Sequence, residues 1–352
     1  MSSTTRGTSR AAARTSIAVA VAAGTALALT GTASAHSGAT STSKVTVASL
    51  TAGLYQSAYS ERNHTLWVTS AVGRAGTPSS LSKVDPRTLE VKATYAAATD
   101  AATGAVEAVY GVAVDDEHDT VWTTNTRSNS VGVYSQRTGA HLATLPNVSH
   151  AREIVVDEAH DTVWASAYGD GTLVAYDSRT FKEKERVTIE GAGPAGLAVN
   201  ERTGTLYAAD LAGDRIIELR RHSATPVFVP AGDGPISVSL SKDGRTAYTA
   251  DQTGGDVSVV DLRKGVVTRT VATGAGALSV ATDERSGNVV VVNRTAATAT
   301  VVDPRKGTVK ESVATGANPN HVEVVDGTAY VVDKSGAGVD GSDQITRVVL
   351  GR

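Results

Sequence analysis

The sequence predicts an all-β protein, a seven-bladed β-propeller whose blades are four-stranded antiparallel sheets. Two observations predict it. Near copies of one segment recur about every 42 residues, which is the length of a four-stranded propeller blade. Each copy also divides into short stretches with the alternation of β-strands, and no stretch of the chain sustains helical periodicity.

One aromatic or valine position marks the repeat, and successive markers lie 55, 42, 43, 41, 42 and 40 residues apart. A second position, here called the ring position, precedes the marker by 11 residues in six copies and by 9 in the last. The markers are Trp67, Trp122, Trp164, Tyr207, Tyr248, Val290 and Tyr330, and the ring positions are Gln56, Gly111, Glu153, Gly196, Ser237, Ser279 and His321. Because strand register rarely stays this constant by chance, we predict that the markers are core residues packed between blades.

Each copy supplies its strands in one order. An innermost Val-x-Val run such as Val112–Val114 is followed by a polar turn such as Asn200–Gly204. The second strand carries the marker, and the third alternates, as in Val257–Val260. A further turn leads to the fourth strand, such as Val266–Val271.

The last copy provides three strands, His321–Val325, Ala329–Asp333 and Ile345–Leu350. We predict that its fourth strand is Lys44–Leu50, from the opposite end of the repeat region. This pairing would remove two exposed sheet edges and close the ring. One propeller domain over residues 44–350 follows from it.

The first 35 residues are predicted to be a signal peptide. Three arginines precede the apolar run Ser16–Thr30, and Ala33–Ala35 forms an A-x-A cleavage signal. The run is too short to span a membrane, which takes about 20 apolar residues. We therefore expect cleavage after Ala35, a disordered Ser/Thr/Gly linker over residues 36–43, and a secreted or otherwise extracytoplasmic protein without a membrane span.

Charge and cysteine content exclude several classes of function. The chain has no cysteine, so neither a disulfide nor a thiolate metal site can form. Loss of the three arginines of the signal peptide would change the net charge from −3 to −6. A mildly acidic protein does not suit general nucleic-acid binding, which depends on neutralising phosphates.

Several second strands share an ending: Tyr-Ala-Ala-Asp at 207–210, Tyr-Thr-Ala-Asp at 248–251, Val-Val-Val-Asn at 290–293 and Tyr-Val-Val-Asp at 330–333. These resemble the Y-V-T-N signature of the YVTN-repeat propellers, and the chain as a whole resembles the YncE-like seven-bladed group. The resemblance implies a mostly extracytoplasmic propeller, some of whose relatives are linked to nucleic-acid or surface binding. Because the motifs build blades, they imply no particular activity.

The copies differ most where the chain approaches the innermost strand. This approach is rich in glycine in blades 4, 5 and 6 and carries polar or aromatic side chains in the other blades. Since propeller ligands usually bind over the axis, on the face that bears these connections, we predict a funnel that is polar on one side. Its predicted binding residues are Gln56, Tyr110, His150, Arg152, Glu153, Asn320 and His321.

The leading functional hypothesis is a monomeric binding or interaction scaffold without catalytic residues or cofactor, which holds a small molecule or a cell-envelope partner. The alternative is a metal-dependent enzyme of the lactonase-like or lyase-like propeller type, with Glu153, Asn320 and His321 as ligands. Within the predicted funnel, Glu153 and His321 are also candidates for an acid–base couple. A third hypothesis is a partner-binding surface on the Asp-rich loops of blades 5 and 7.

Two further groups of residues suggest metals, and we expect neither to bind one. Three histidines occupy the same turn of successive blades, too far apart to share an ion at about 2.0–2.1 Å per bond: His64, His118 and His160. Three carboxylates end second strands, and we predict that they accept hydrogen bonds from their own loop amides rather than hold calcium: Asp210, Asp251 and Asp333.

Overall fold

The structure is a computed structural model, and it describes residues 1, 43–223 and 225–351. The predicted signal peptide, apart from its first residue, and the linker up to residue 42 lie outside the described residues. The predicted propeller is confirmed, because the described chain forms seven four-stranded antiparallel sheets. No helix in the described part of the chain is long and apolar enough to cross a membrane.

The two inner strands of each blade form a hairpin whose register places the marker in the middle of the second strand. The innermost strands are β2 (Leu54–Ser60), β6 (Val112–Asp115), β10 (Ala151–Asp157), β14 (Pro194–Asn200), β18 (Pro235–Leu240), β22 (Ala277–Asp283) and β26 (Pro319–Val325). The second strands are β3 (Thr65–Ala71), β7 (Thr120–Asn125), β11 (Thr162–Ala167), β15 (Thr205–Asp210), β19 (Thr246–Asp251), β23 (Asn288–Asn293) and β27 (Thr328–Asp333).

The two outer strands complete each sheet, and the only short 3-10 turns among the described residues are Glu158–His160 and Val339–Gly341. The third strands are β4 (Ser79–Val84), β8 (Ser130–Ser135), β12 (Thr172–Asp177), β16 (Arg215–Leu219), β20 (Asp256–Asp261), β24 (Thr298–Asp303) and β28 (Gln344–Val349). The fourth strands are β5 (Val91–Ala96), β9 (His141–Pro146), β13 (Glu183–Thr188), β17 (Val227–Pro230), β21 (Val266–Ala272), β25 (Thr308–Ala314) and, for the last blade, β1 (Lys44–Ser49).

The ring closes as predicted. Strand β1 pairs antiparallel with β28 over its whole length, from Lys44 opposite Val349 to Ser49 opposite Gln344. The innermost strand of the last blade also contacts that of the first. The strand from the start of the repeat region therefore completes the blade formed by its end, which leaves no gap in the circle of sheets.

The markers form the core between blades, as predicted. All seven are buried, from 0% exposed for Trp67 and Trp122 to 6% for Trp164, Tyr207 and Tyr248. Trp122 of blade 2, for example, lies in one apolar cluster with Ile154 of blade 3. Truncating such a side chain to alanine would cost about 3–5 kcal/mol.

Buried hydroxyl groups link the first blades of the ring to one another. In blade 3, Ser166 Oγ accepts the N–H of Glu153 at 2.9 Å and donates to the carbonyl of Ala195 in blade 4, also at 2.9 Å. Thr69 and Thr124 make the same pair of bonds from blades 1 and 2. Each hydroxyl fixes the backbone beside the ring position, so the residues that point toward the axis are held rigidly.

Candidate functional site

The ring positions meet at the propeller axis. Five of the seven line one cavity of about 310 Å³, on the face where the chain approaches the innermost strands. They are Gln56, Glu153, Ser237, Ser279 and His321. The other two are Gly111 and Gly196, which have no side chain to contribute. At the ring position, a large polar side chain thus comes from each of blades 1, 3 and 7, and a serine comes from each of blades 5 and 6.

A repeated hydrogen bond joins neighbouring blades at this level. The side chain at the ring position accepts the N–H of the residue that follows the ring position in the next blade. Ser279 Oγ accepts from Val322 at 3.2 Å, and Ser237 makes the same bond one blade earlier. His321 Nδ1 continues the series with the N–H of Ser57 at 3.4 Å, across the closure of the ring.

This bond fixes the chemical state of His321. Because Nδ1 accepts a hydrogen bond from a backbone amide, the proton of the neutral ring is assigned to Nε2. Burial lowers the pKa of His321 to about 4, since the charged form would lose its hydration. His321 is therefore neutral at physiological pH and offers an N–H donor within the axial cavity.

Gln56 crosses the space above Gly111 to reach a blade that is not its neighbour. Its Oε1 accepts the N–H of Val112 at 3.1 Å, which leaves Nε2 to donate to Glu153 Oε2 at 3.0 Å. A Cβ atom on Gly111 would lie 3.2 Å from Gln56 Oε1 and 2.9 Å from the carbonyl oxygen of Arg152. The absence of a side chain at Gly111 is thus what allows Gln56 to span blade 2.

Two glutamates, Glu153 and Glu323, lie one after the other along the propeller axis. Burial raises the pKa of Glu153 to about 7, although the hydrogen bond from Gln56 and the charge of Arg152 lower it in part. Burial raises the pKa of Glu323 to about 8, and the charge of Glu153 raises it further. Both glutamates line a second cavity of about 460 Å³ that shares His321 with the first and continues along the channel.

Two arginines approach the first cavity from different blades, Arg152 from blade 3 and Arg294 from blade 6. Arg294 Nη1 donates to Asn320 Oδ1 at 2.9 Å, while Asn320 Nδ2 donates to the carbonyl of Tyr55 at 2.7 Å. Among the described residues, no carboxylate oxygen lies within 4.0 Å of either guanidinium group. The mouth of the cavity therefore carries two positive charges without an ion-pair partner.

A third cation lies at the same mouth. The Nζ atom of Lys334 lies 4.6 Å from the centroid of the Tyr55 ring, which itself lines the cavity. Burial lowers the pKa of Lys334, and the charge of Arg294 lowers it further. Lys334 is therefore a half-buried cation beside the charge of Arg294.

The structure brings together five of the seven predicted binding residues, Gln56, Arg152, Glu153, Asn320 and His321. Tyr110 does not line this cavity: it is buried against Ala71 and Ala108, and its hydroxyl accepts a hydrogen bond from Arg127 at 3.1 Å. His150 does not line it either, because its backbone adopts a positive φ of 47° and its ring lies 5.7 Å from that of Tyr168.

Sequence reasoning missed the position that follows the Y-V-T-N-like ending. Leu211, Gln252 and Arg294 each stand one residue after the end of a second strand, and all three line the cavity. Lys334 occupies the same position in blade 7. The residue at this position differs from copy to copy, and that difference is the sequence signal that points to Arg294 and Gln252.

The structure also separates the three turn histidines. Each bonds within its own turn: His64 to Tyr59, His118 to Asp115 and His160 to Asp157. In the described chain, the only group of three or more acidic and histidine side chains close enough to share an ion is Glu117, His118 and Asp161. Its centre is occupied by Arg179, whose Nε lies 3.0 Å from both His118 Nε2 and Asp161 Oδ1, so the protein supplies the cation itself.

The carboxylates that end second strands follow the prediction of bonds from their own loop amides in blade 7 but not in blade 4, where the amide lies in the segment before the innermost strand. Asp210 accepts the N–H of Gly193 at 2.7 Å, and Asp333 accepts those of Ser335 and Gln344 at 3.1 and 3.0 Å. For Asp251 the prediction is wrong, because neither of its carboxylate oxygens has a hydrogen-bond partner among the described residues.

Comparison with solved structures gives the same fold. A virginiamycin B lyase from Staphylococcus aureus matches with a TM-score of 0.70 at 13% sequence identity, over 87% of this chain and 100% of the lyase chain. A streptogramin B lyase matches with a TM-score of 0.70 at 13% identity, over 89% of this chain and 100% of that one. At such low identity the likeness shows the fold alone. No protein-family model matches the chain, and no curated protein does.

Proposed function

We propose that this protein is a binding protein that holds a small organic anion, bearing a carboxylate or a phosphate, in the axial cavity. The observation that supports the proposal is the pair of guanidinium groups, Arg152 and Arg294, at the mouth of one cavity of about 310 Å³, with no carboxylate of residues 43–223 or 225–351 within 4.0 Å of either. Guanidinium groups bind carboxylates and phosphates through paired charge-assisted hydrogen bonds. Gln252 and Asn320 line the same cavity and offer amide groups to orient the ligand.

The acidic residue of the cavity does not cancel this positive field. The raised pKa of Glu153, about 7, means that a large fraction of its carboxyl group is protonated near neutral pH. Its oxygens already accept hydrogen bonds from Gln56 and from the backbone of Ile154. An anion at the mouth therefore meets two cations and a partly neutral acid, which favours binding over repulsion.

Thermal-shift and calorimetric titration of the purified protein with mono- and dicarboxylates and phosphomonoesters tests the proposal. We expect at least one class to bind, with affinity lost by a factor of about ten or more in Arg152→Gln and in Arg294→Gln. Arg137→Gln is the control, because Arg137 is exposed at an outer turn. Binding that survives both cavity substitutions, or no binding by any anion, would reject the anion site.

A second candidate function is a lyase reaction in the axial cavity, since the two solved structures that share the fold are named as lyases. It is favoured by neutral His321 and half-protonated Glu153 in one cavity, a combination suited to proton transfer near pH 7. The metal-dependent form of this hypothesis fits poorly. Asn320 Oδ1 already accepts a hydrogen bond from the Arg294 guanidinium, and a cation there would repel a metal ion. Loss of any lyase activity in His321→Gln, with anion binding retained, would separate the two candidates.

We also propose that the protein is an exported member of the YncE-like group. The proposal rests on the arginine, apolar and Ala-x-Ala pattern of residues 6–35 and on the Y-V-T-N-like strand endings. Expression of the full chain in a secreting host, followed by intact-mass measurement of the extracellular product, is the test. A mature protein that begins at His36 is expected, and retention of the uncleaved chain in the cytoplasm would contradict export.

A further inference from the structure

Blades 4 and 5 carry different residues at the same pair of cross-strand positions. In blade 4, Asp210 ends the second strand and faces Arg215, the first residue of the third strand. Arg215 Nε lies 2.7 Å from Asp210 Oδ2, and the carboxylate is 0% exposed. The buried negative charge of blade 4 is therefore balanced by a cation that the protein provides, as a buried charge requires.

In blade 5 an aspartate takes the place of that arginine. Asp251 ends the second strand, is 0% exposed, and faces Asp256 in the same register. In the part of the chain that the structure describes, both oxygens of Asp251 and Oδ1 of Asp256 are buried without a hydrogen-bond partner. Two facing carboxylates without a cation are costly to bury, so blade 5 lacks the compensation that Arg215 gives to blade 4.

The surroundings of Asp251 are oxygen-rich. Thr249 and Ser258 form the next cross-strand pair on the same face, and the hydroxyl oxygens of both are buried without a partner among described residues. The backbone of Gly232 closes over them, since a Cβ atom there would lie 2.1 Å from Asp251 Oδ2 and 2.7 Å from Ser258 Oγ.

We propose that blade 5 binds a calcium ion between the carboxylates of Asp251 and Asp256. Calcium takes six to eight oxygen ligands, drawn from carboxylates, neutral oxygens and water. Here two carboxylates and the Thr249 and Ser258 hydroxyls supply the protein ligands, and Asp256, which is half-buried, leaves a path to solvent. The ion does in blade 5 what Arg215 does in blade 4, and the inference does not depend on the axial anion site.

Calcium titration of the chelator-treated full chain tests the site. We expect a single calorimetric binding event and a rise in Tm of roughly 3–8 °C at a hundredfold excess over Kd. Asp256→Arg rebuilds the pair of blade 4, so it should lose the calcium response while remaining at least as stable as the calcium-free parent. Asp261→Asn, at the far end of the same strand, should keep the full response.

Two results would overturn the proposal. One is the absence of both heat and Tm shift on adding calcium to the chelator-treated parent, which would mean that a shared proton neutralises the two carboxyl groups. The other is a calcium response that persists in Asp256→Arg and in Asp251→Asn, which would place the ion elsewhere. If Asp256→Arg fails to fold, Asp251→Asn alone decides, because asparagine already occupies this position in blades 2 and 6 as Asn125 and Asn293.

Discussion

Gln56 donates a hydrogen bond of 3.0 Å to Glu153, although blade 2 lies between the blades that carry them. The contact depends on Gly111, the ring position of blade 2, which leaves room for the amide to pass. One side chain thereby ties three blades together at the axis, since Gln56 also accepts the N–H of Val112. The polar sector of the cavity is therefore a connected network and not a set of independent side chains.

We predict that Gln56→Leu destabilises the protein by about 1–3 kcal/mol, because the buried N–H of Val112 would lose its acceptor. Urea denaturation measures the change. The matched control is Gln252→Leu, which removes an amide from the same cavity but from a side chain that accepts no such buried amide. Equal losses of unfolding free energy in the two variants would contradict a stabilising role for the hydrogen bond between Gln56 and the N–H of Val112.

Most of the fold could be predicted from the sequence because a propeller repeats one local pattern. The marker at Trp67 and its equivalents, the ring positions, and the closing strand at Lys44 all recur at fixed spacing, and the structure places them as expected. Strand register is set by the alternation of apolar and polar residues along a strand. A wrong register in one copy would therefore conflict with the register of the other six copies.

The site could be predicted only in part, for physical reasons that particular residues show. Arg152 and Asn320 lie in the stretches where the copies visibly diverge, and the structure brings them to one cavity. Tyr110 and His150 lie in the same stretches, but packing and a positive φ direct their rings elsewhere. Arg294 is not predicted from the sequence, because it follows a second-strand ending that repeats from copy to copy. The unbalanced charge of Asp251 becomes visible only when its cross-strand partner, Asp256, is known.

Asp343 should be the most sensitive carboxylate at the junction of the last and first blades. It is 5% exposed and accepts the backbone N–H groups of Gly53 at 2.7 Å, Leu54 at 3.1 Å and Gly336 at 2.8 Å. We expect Asp343→Ala to lower the free energy of unfolding by about 3 kcal/mol or more, because three amides lose a charged acceptor. Guanidinium denaturation is the measurement.

The controls for Asp343→Ala are the aspartate-to-asparagine substitutions of Asp343 and Asp340, which lie in the same loop. Asp343→Asn keeps a single carbonyl acceptor and should fall between the alanine variant and the parent. Asp340→Asn, at an exposed residue with φ of 55° that asparagine tolerates, should change stability by less than about 0.5 kcal/mol. A comparable loss in Asp340→Asn would locate the effect in the loop as a whole and not in the three amide contacts.

Glu323 should make the protein less stable as the pH rises. Its pKa is about 8 in the fold, raised by burial from 4.5, so between these values the folded state retains a proton that the unfolded state has lost. Stability therefore falls as the pH increases through this window, by up to about 1.4 kcal/mol per pH unit and by less where channel water hydrates the carboxylate.

Substitution of Glu323 isolates this effect. Between pH 6.5 and 8, the free energy of unfolding of Glu323→Gln should fall by about 1–2 kcal/mol less than that of the parent. Urea denaturation at each pH measures the difference. Glu190→Gln, at an exposed position, should follow the parent. Parallel pH profiles for the parent and Glu323→Gln would show that this carboxyl group is well hydrated in the channel.

His321 should have the opposite dependence on pH. Burial lowers its pKa from 6.5 to about 4, so between these values the unfolded state binds a proton that the folded state refuses, and stability is lost as the pH falls from 6.5 toward 4. His321→Gln keeps an acceptor for the N–H of Ser57 and removes the titration, so it should resist acid better than the parent by about 1–2 kcal/mol at pH 4.5.

The comparison of two substitutions separates the charge of His321 from its hydrogen bond. His321→Leu also removes the titration, but it leaves the N–H of Ser57 without an acceptor and should be less stable than His321→Gln by about 1–3 kcal/mol at every pH. Because Glu153 and Glu323 titrate in all three proteins, they cancel from the differences. His141→Gln, at an exposed residue of β9, is the control. If the parent and His321→Gln lose stability in parallel between pH 6.5 and 4, His321 is not buried as a neutral ring.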